Sequence, residues 1–528
     1  MSNKLRYFMP FIFISLALTI TLALSSCETE TESKVLALSP HWTKQPSTIC
    51  LKKNESGAFD CKAELGVFPI YYRWYEIDQN GQTRKPLGTG WSTESTLQIE
   101  GFSEKGIRYF ICEAMPIIPE QTTPVLNIAH SNLVAAAYTD IPILYIDTVN
   151  SEEPTAEYVT AKDNGGNYGA TLRNHTKPPA RMRLVKTDGG QELYDSGEDV
   201  KGESGLTIKL RGNTSAWGKK KPYKIKLQKK ADLLASLLER DNKDFKSKDW
   251  ILLTEKPKHA VGFAVADIAG VPWTPKYAYV NLVMNGEFRG LYMLIESISQ
   301  GKKRVNVADD GYIIERDAYW WNEEVKFFTD LNQKFTFKYP DDEDITQAQI
   351  DYIRGYMNSV EEHIQDGTYE SFIDTEAFAR WQLIHDILGT RDGGGSNIYI
   401  SKYDSADSKI TMSTPWDFDS IYGIENDWSS VHNKNRIYTQ LLLNNQNTVY
   451  KDSYKSQWAA LSDALCSQLS AKLSDWQTHF GEDINLSRKC DAVKRGANSS
   501  SSVEEDISLA DSWFSKRKVW LDSKISGL

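Results

Sequence analysis

Alternating apolar and polar positions along the chain predict strands in three successive regions. In the first region, the predicted strands are 58–63, 70–77, 96–99, 109–114 and 132–138. In the second, they are 141–146, 206–211, 223–227, 277–284 and 289–295. In the third, they are 311–316, 398–403 and 409–414. The last two strands of the second region flank an Asn-Gly pair, which is the strongest short-range signal for a hairpin.

Apolar residues at helical spacing predict helices between and after these strands. Residues 346–364 read as one helix, and Asp374 is placed to cap another that stops at Gly389. The chain beyond residue 427 is predicted to be mostly helical. Strands and helices in separate runs indicate the α+β class.

Size and charge narrow the possible functions. A chain of 528 residues is too long for one compact core and predicts two or three domains. The net charge of -10 argues against a large nucleic-acid footprint, which is usually basic, so no nucleic-acid partner is expected.

The N-terminus resembles a bacterial lipoprotein signal. Basic residues precede the apolar run 8–24, and a small-residue site ends in Cys27. The run is shorter than the roughly 20 apolar residues of a transmembrane anchor. The resemblance implies a signal peptide over 1–26, lipidation of Cys27 and an acidic tether over 27–38. The acidic residues are similar to export signals of Bacteroidetes-type surface lipoproteins, so we expect a lipid-anchored protein of the cell envelope, at the outer membrane and the cell surface.

Residues 39–140 resemble an immunoglobulin-like, all-β sandwich. The spacing of Cys61, Trp74 and Cys112 is the one with which such domains pack a Trp against an inter-sheet disulfide. Phe110 stands where the tyrosine corner of these domains would place Tyr. Nothing in this region suggests chemistry, so a spacer is favoured over a binding platform.

Disulfides are expected among the remaining cysteines of an exported chain. Cys61 and Cys112 form one natural pair, and Cys466 and Cys490 form another. Cys50 is left over and could compete for Cys61.

A polar hairpin in the third region carries the clearest candidate chemistry. If strands 398–403 and 409–414 pair, Asn397 lies next to Asp417, and Asp392 lies on the glycine-rich loop just before them. Two carboxylates and an amide oxygen at one sheet edge suit Mg²⁺, which prefers oxygen ligands. The alternative is that these residues only shape turns.

A second candidate is the glycine-flanked loop 212–218, which leads into three consecutive lysines at 219–221. Backbone N–H groups of a turning loop and nearby ammonium groups can bind an anion. The alternative is a solvated basic edge.

Five segments in order resemble the CotH family, the spore-coat-type kinases with an atypical protein-kinase-like fold. They are LRGNTSAWGKKKPYKIKL, YVNLVMNGEFRGLYMLIES, GYIIERD, RDGGGSNIYISKYD and PWDFDSIYG. The resemblance spans 141–525 and implies a two-lobed kinase-like domain over 141–528 with a helical C-terminal part, which uses ATP and Mg²⁺.

The resemblance also implies roles for the polar hairpin. Asp392 would be the catalytic aspartate, and Asn397 follows it at the spacing found in protein-kinase catalytic loops. Asn397 and Asp417 would hold Mg²⁺. Asp417 would be the aspartate of the kinase Asp-Phe-Gly motif, with Phe418 after it and Asp419 in place of the glycine.

For the nucleotide, the resemblance implies a second set of residues. Lys221, with Lys220 as second choice, would contact the phosphates. Arg211 and Asn213 would shape the loop, and Glu296 would contact adenine.

One segment departs from the family pattern. Many members carry an Asp and then an Arg-Asn pair at the start of a helix, where this chain reads TEKPKHAVGFAVADIAG over 254–270. We expect altered substrate use or weaker catalysis if those polar groups bind nucleotide or acceptor.

Two functions follow from the sequence. The first is an exported kinase that phosphorylates Ser or Thr of exported or surface proteins, although ATP is scarce outside the cytoplasm. The second is a surface lipoprotein that uses a kinase-like scaffold for adhesion or ligand binding without turnover. The intact Asp392, Asn397 and Asp417 favour the enzyme, because a binding scaffold has no chemical need for them.

Overall fold

The computed structural model describes residues 39–78, 83–116, 128–163, 169–241, 243–390, 396–422, 437–497 and 500–528. Within these ranges the chain is a mixed α+β structure with 25 strands and six α-helices. Cys27 and Asp392 lie outside the described residues, as do the predicted signal peptide and tether.

The N-terminal region consists of ten short strands. They are β1 (His41–Lys44), β2 (Ile49–Leu51), β3 (Gly57–Phe59), β4 (Lys62–Glu64), β5 (Ile70–Ile77), β6 (Arg84–Pro86), β7 (Leu97–Ile99), β8 (Gly106–Pro116), β9 (Ala129–His130) and β10 (Val134–Tyr138). A main sheet runs β2-β10-β8-β5-β6, with β9 beside β8, and β1-β4 and β3-β7 form two-stranded pairs. Cys61, Trp74 and Cys112 share its apolar core. The immunoglobulin-like assignment stays a prediction.

An eight-stranded sheet follows, and seven of its strands close into a ring. Its strands, with the two-stranded pair β12-β13 between them, are β11 (Ile143–Thr148), β12 (Ala156–Thr160), β13 (Ala170–Asn174), β14 (Pro179–Val185), β15 (Glu192–Asp195), β16 (Leu206–Leu210), β17 (Tyr223–Ala231), β18 (Ser247–Thr254), β19 (Tyr277–Met284) and β20 (Glu287–Glu296). The order is β11-β19-β20-β18-β17-β16-β14-β15, and β11 also pairs with β14. Helix α1 (Pro257–Ile268) connects β18 to β19.

A five-stranded antiparallel sheet forms the next layer. Its strands are β21 (Tyr312–Arg316), β22 (Lys326–Phe328), β23 (Lys334–Tyr339), β24 (Ile398–Lys402) and β25 (Ile410–Met412), in the order β22-β23-β21-β24-β25. Helices α2 (Gln347–Asp366) and α3 (Thr375–Leu388) lie in the connection from β23 to β24.

The C-terminal part is helical, as predicted. It contains α4 (Ile437–Leu443), α5 (Val449–Lys494) and α6 (Val503–Ser526). Helix α5 has 46 residues and packs against α3, α6, β10 and β20, so it joins the N-terminal region to the rest of the chain. Among the described helices, none combines the length and the apolar character needed to cross a membrane.

Local sequence signals explain the elements that frame the site. Asn285 and Gly286 take positive φ values of 51° and 75°, as a tight hairpin turn requires, and β19 and β20 pair as predicted. Asp374 accepts a hydrogen bond from Ala377 N at 3.0 Å, and Gly389 ends α3 with φ 60°. The hairpin of β24 and β25 is also confirmed.

Candidate active site

A cavity of about 620 Å³ lies where the eight-stranded sheet, the start of α1 and the five-stranded sheet meet. Residues 211–215 after β16 and Thr254 at the end of β18 line one side. Arg316 at the end of β21, Asn397 before β24 and the segment 416–419 after β25 line the other. Segments that are distant in the sequence therefore meet in one cleft.

Asn397 and Asp417 are in direct contact. Asn397 Nδ2 donates a hydrogen bond to Asp417 Oδ2 at 3.1 Å, which confirms the predicted convergence. Both residues have a left-handed backbone, with φ 61° for Asn397 and 60° for Asp417. Asn and Asp tolerate this conformation better than most residues, and such strain clusters at functional sites. The carboxylate and amide fit Mg²⁺ by donor type.

A second carboxylate lies beside this pair. Asp419 forms an ion pair with Lys256 through Oδ2, and its Oδ1 lies 3.2 Å from His259 Nε2. One ligand atom each from His259, Asp417 and Asp419 lie within 4.8 Å of one another. Burial lowers the pKa of His259 to about 4, although Asp419 opposes this, so the imidazole is neutral near neutral pH.

Helix α1 is locked to the acidic segment by close packing. Phe418 is fully buried, and its ring would collide with any Cβ at position 262. Gly262 therefore lets the ring lie directly on the helix. Phe263 adds an edge-on contact with Phe418, with ring centroids 5.2 Å apart. This packing fixes the start of α1, and with it Lys256 and His259, against Asp419.

The loop after β16 supplies a cation and a tight turn. Arg211 lies 5.9 Å from the Trp416 ring centroid, and burial lowers its pKa, while Tyr399 and Asp417 oppose that shift. Gly212 has φ 90°, and a Cβ there would collide with Ser215. Asn213 accepts a hydrogen bond from Thr171 Oγ1, so it shapes the loop as expected. Its role toward a nucleotide stays a prediction.

The lysines chosen from the sequence do not line the cavity. Lys220 Nζ binds Leu291 O and Asp491 Oδ2, each at 2.5 Å, beneath the ring of Tyr292. The ammonium group of Lys220 is therefore held by α5 away from the cavity, and its contact with phosphate stays a prediction. Lys221 donates to Ala216 O at 2.7 Å and so braces the loop from outside the cavity.

Glu296 is also placed away from the cavity. Its Oε1 accepts from Arg240 at 2.8 Å, and its Oε2 accepts from Lys276 N at 3.0 Å and Trp273 Nε1 at 3.3 Å. The side chain is fully buried. Both oxygens of Glu296 are occupied by protein groups beside a separate cavity, and the adenine contact predicted for Glu296 stays a prediction.

The end of α3 and Thr390, which precede the predicted catalytic loop, are held by several hydrogen bonds. His385 Nδ1 and Thr390 Oγ1 are 2.8 Å apart, and Arg517 Nε donates to Asp386 O at 2.7 Å. Tyr454 OH donates to Asp386 Oδ2 at 3.0 Å. Helix α3 is therefore the expected core support, while the role of Asp392 stays a prediction.

Asp317 is a further buried carboxyl next to the cavity. It accepts from Tyr319 N at 2.8 Å, while Ser396 Oγ lies 3.5 Å from Oδ1. Burial, with a contribution from Glu315, raises the pKa of Asp317 to about 7.

Sequence reasoning missed Lys256, His259 and Arg316 as cavity residues and gave Asp419 no ligand role. A signal was present for two of them. Lys256 and His259 are three residues apart at a helix start, so they share one face. They lie in the segment that departs from the family pattern.

One predicted disulfide is wrong. Cys466 and Cys490 both lie in the continuous helix α5, 24 positions apart, which at 1.5 Å per residue separates them by about 36 Å. Cys61 and Cys112 do meet, with their sulfurs 3.9 Å apart, and both are free thiols here. Cys50 shares an apolar cluster with Cys490 instead of competing for Cys61.

Of three comparisons with known proteins, one shows the family to which this chain belongs. Curated proteins give no match. A solved chimeric titin Z1Z2-Z1Z2 tandem, functionalised with a GRGDS exogenous peptide from fibronectin, matches at 11% identity over 36% of this chain and 91% of that chain. Its TM-score of 0.14 is too low to indicate a shared fold. The family model described as CotH kinase protein matches residues 208–521, more than half of the chain. The span includes the closed sheet from β16 onward, the cavity and the C-terminal helices, so the chain belongs to the CotH kinase family.

Proposed function

We propose that this protein is an exported, lipid-anchored phosphotransferase that moves the γ-phosphoryl group of ATP to a Ser or Thr hydroxyl of an exported or surface protein. The contact between Asn397 and Asp417 inside a cavity lined by cations carries the proposal. Membership of a kinase family supports the reaction class.

The walls of the cavity suit a polyphosphate. Arg211, Lys256 and Arg316 all line the cavity and give it three cations. These charges attract phosphate oxygens and hold them in place. Lys256 takes the phosphate-facing role in this proposal, because it lines the cavity and is 39% exposed, whereas Lys220 and Lys221 do not line it. A phosphate oxygen would share its ammonium group with Asp419.

The transfer itself needs few groups. Mg²⁺, when bound through Asn397 and Asp417, would neutralise phosphate charge. Asp392 would orient the acceptor hydroxyl and take its proton as the new phosphate ester forms and ADP leaves. Positioning and charge neutralisation account for most catalysis of this kind.

A second function is favoured by one observation. Asp419 is paired with Lys256, so part of the acidic charge is already neutralised by the protein. This arrangement also suits a surface lipoprotein that binds a nucleotide-like or other anionic ligand without turnover. The two functions make different predictions for phosphate transfer.

Binding and transfer can be tested separately. Mg²⁺ and ATP at a hundredfold excess over the dissociation constant should raise the free energy of unfolding by about 2.7 kcal/mol. Asp417→Ala should abolish that gain. Asp392→Ala should keep it and lose transfer of radiolabelled phosphate to exported proteins.

Three results would count against parts of this proposal. No stabilisation of the wild type at millimolar ATP would remove the nucleotide function. Stabilisation without transfer would leave the binding function. Unchanged transfer by Asp392→Ala would remove Asp392 from the reaction.

The membrane anchor is part of the same proposal. Cys27→Ala should move the protein from the membrane fraction to the soluble fraction, because lipidation of this cysteine would supply the anchor. Persistent membrane association of that variant would contradict lipidation at Cys27. Ser26→Ala, which keeps the cysteine, is the matched control.

A further inference from the structure

The start of α1 adds a nitrogen ligand to the acidic site. His259 lines the cavity and is only 6% exposed. A ring nitrogen of His259 and one carboxylate oxygen each of Asp417 and Asp419 lie within 4.8 Å of one another. Three residues from two separate segments of the chain thus present ligand atoms to a common point.

Two buried atoms in this group lack partners. Among the residues that the structure describes, neither His259 Nδ1 nor Asp419 Oδ1 has a hydrogen-bond partner. The 3.2 Å approach between His259 Nε2 and Asp419 Oδ1 is therefore close without being a hydrogen bond. Buried polar atoms are nearly always satisfied, and those that are not indicate a missing water, proton or ion.

Lys256 does not supply the missing partner of Asp419 Oδ1. Its ammonium group pairs with Asp419 Oδ2, the oxygen on the other branch of the carboxylate. The two oxygens of Asp419 are therefore used differently, and Oδ1 remains directed at His259.

We propose that His259, Asp417 and Asp419 form a binding site for a first-row transition-metal dication, and that the imidazole makes this site prefer such ions over Mg²⁺. Imidazole suits Zn²⁺ and the later first-row dications, among which Co²⁺ serves as a spectroscopic probe, whereas Mg²⁺ and Mn²⁺ are held mainly by oxygen. The inference rests on the proposed function to the extent that Asp417 serves both. It gives this member a metal preference different from the one expected of Asn397 and Asp417 alone.

Titration with the metals alone tests the inference without nucleotide. Co²⁺ is added to the purified full chain, free of any polyhistidine tag, and its d–d absorption is recorded. Zn²⁺, Mn²⁺ and Mg²⁺ are titrated calorimetrically. We expect one Co²⁺ or Zn²⁺ per chain, bound at least about tenfold more tightly than Mg²⁺.

Variants assign the site. His259→Asn should weaken Co²⁺ and Zn²⁺ at least about tenfold and change Mg²⁺ affinity less than about threefold. Asp419→Asn should also weaken Co²⁺. His479→Asn is the matched control, because His479 lies 3.1 Å from Asp475 in an exposed pair on α5, and it should bind as the wild type does.

The outcomes separate this inference from the proposed function. Equal affinity of the wild type for Mg²⁺ and Zn²⁺, or unchanged Co²⁺ binding by folded His259→Asn and Asp419→Asn, would overturn the site. Co²⁺ binding that depends on His259, together with no stabilisation by ATP and any of these metals, would keep the site and remove the nucleotide function. Circular dichroism of each variant establishes that it is folded.

Discussion

Two carboxylates in this protein, one buried and one at the cavity, have opposite surroundings. Glu296 is fully buried, and its two oxygens accept hydrogen bonds from Arg240, Trp273 and the backbone of Lys276. Asp419 is partly exposed to the cavity, and its Oδ1 has no hydrogen-bond partner in the described part of the chain, although His259 is 3.2 Å away. A carboxylate with every oxygen satisfied serves the fold, whereas one with an oxygen left over can serve a ligand.

The comparison also explains why charge alone is a poor guide to a site. Both carboxylates lie near a helix or strand end and both have a cationic neighbour. They differ in whether a carboxylate oxygen is left without a hydrogen bond. Both oxygens of Glu296 accept one, whereas Asp419 Oδ1 accepts none among the described residues.

The largest effect is expected at the satisfied carboxylate. Glu296→Ala leaves the buried Arg240 with Asp232 as its remaining acidic partner and should lower the free energy of unfolding by about 3–5 kcal/mol. Urea denaturation measures this change. Glu157→Ala is the control, since Glu157 is about half exposed and pairs only with surface groups. A loss at Glu296 no larger than at Glu157 would contradict its structural role.

Asp317 is buried like Glu296, but its raised pKa should make the free energy of unfolding depend on pH. Burial raises the folded-state pKa of Asp317 to about 7, above its ordinary value of 3.8, so between these values the folded state keeps a proton that the unfolded state loses. Stability due to this group is present below about pH 4 and is lost as pH rises to about 7.

Asp317→Asn should remove that slope and leave the variant more stable than the wild type by a few kcal/mol, roughly, at pH 8. The difference between the two proteins, measured by urea denaturation from pH 4 to pH 8, isolates this group from other titrations. A difference that does not vary with pH would show that Asp317 is ionised throughout.

The smallest effect on stability is expected at the unsatisfied carboxylate. Asp419→Asn removes an ion pair with Lys256, which is 39% exposed, and relieves repulsion from Asp417. The change in free energy of unfolding should stay within about 1 kcal/mol in either direction. A loss comparable to that at Glu296 would mean that Asp419 holds the fold together and would undo the comparison.

The sequence predicts what depends on neighbouring residues. The turn at Asn285 and Gly286, the cap at Asp374 and the pairing of β24 with β25 all follow from local chemistry. The contact between Asn397 and Asp417 follows from that pairing.

What could not be predicted depends on distant packing. Lys220 is sequestered by Asp491, which lies 271 positions later in the sequence on α5. His259 reaches the acidic segment only because Gly262 lets Phe418 lie against α1. No local sequence pattern predicts either contact.

Cysteine spacing failed for a related reason. Their spacing predicts that Cys466 and Cys490 pair, but α5 is continuous through both positions and keeps them apart. The length of that helix depends on its packing along α3, α6 and β20, which spacing does not reveal.

Calorimetric titration of ATP with Mg²⁺ into three proteins tests the central claim most directly. The wild type and Glu296→Gln should bind one nucleotide with similar affinity, at a temperature where both are folded, while Asp417→Asn should bind at least about a hundredfold more weakly. Equal binding by Asp417→Asn, or loss of binding confined to Glu296→Gln, would contradict the claim that the cavity between the two sheets is the nucleotide site.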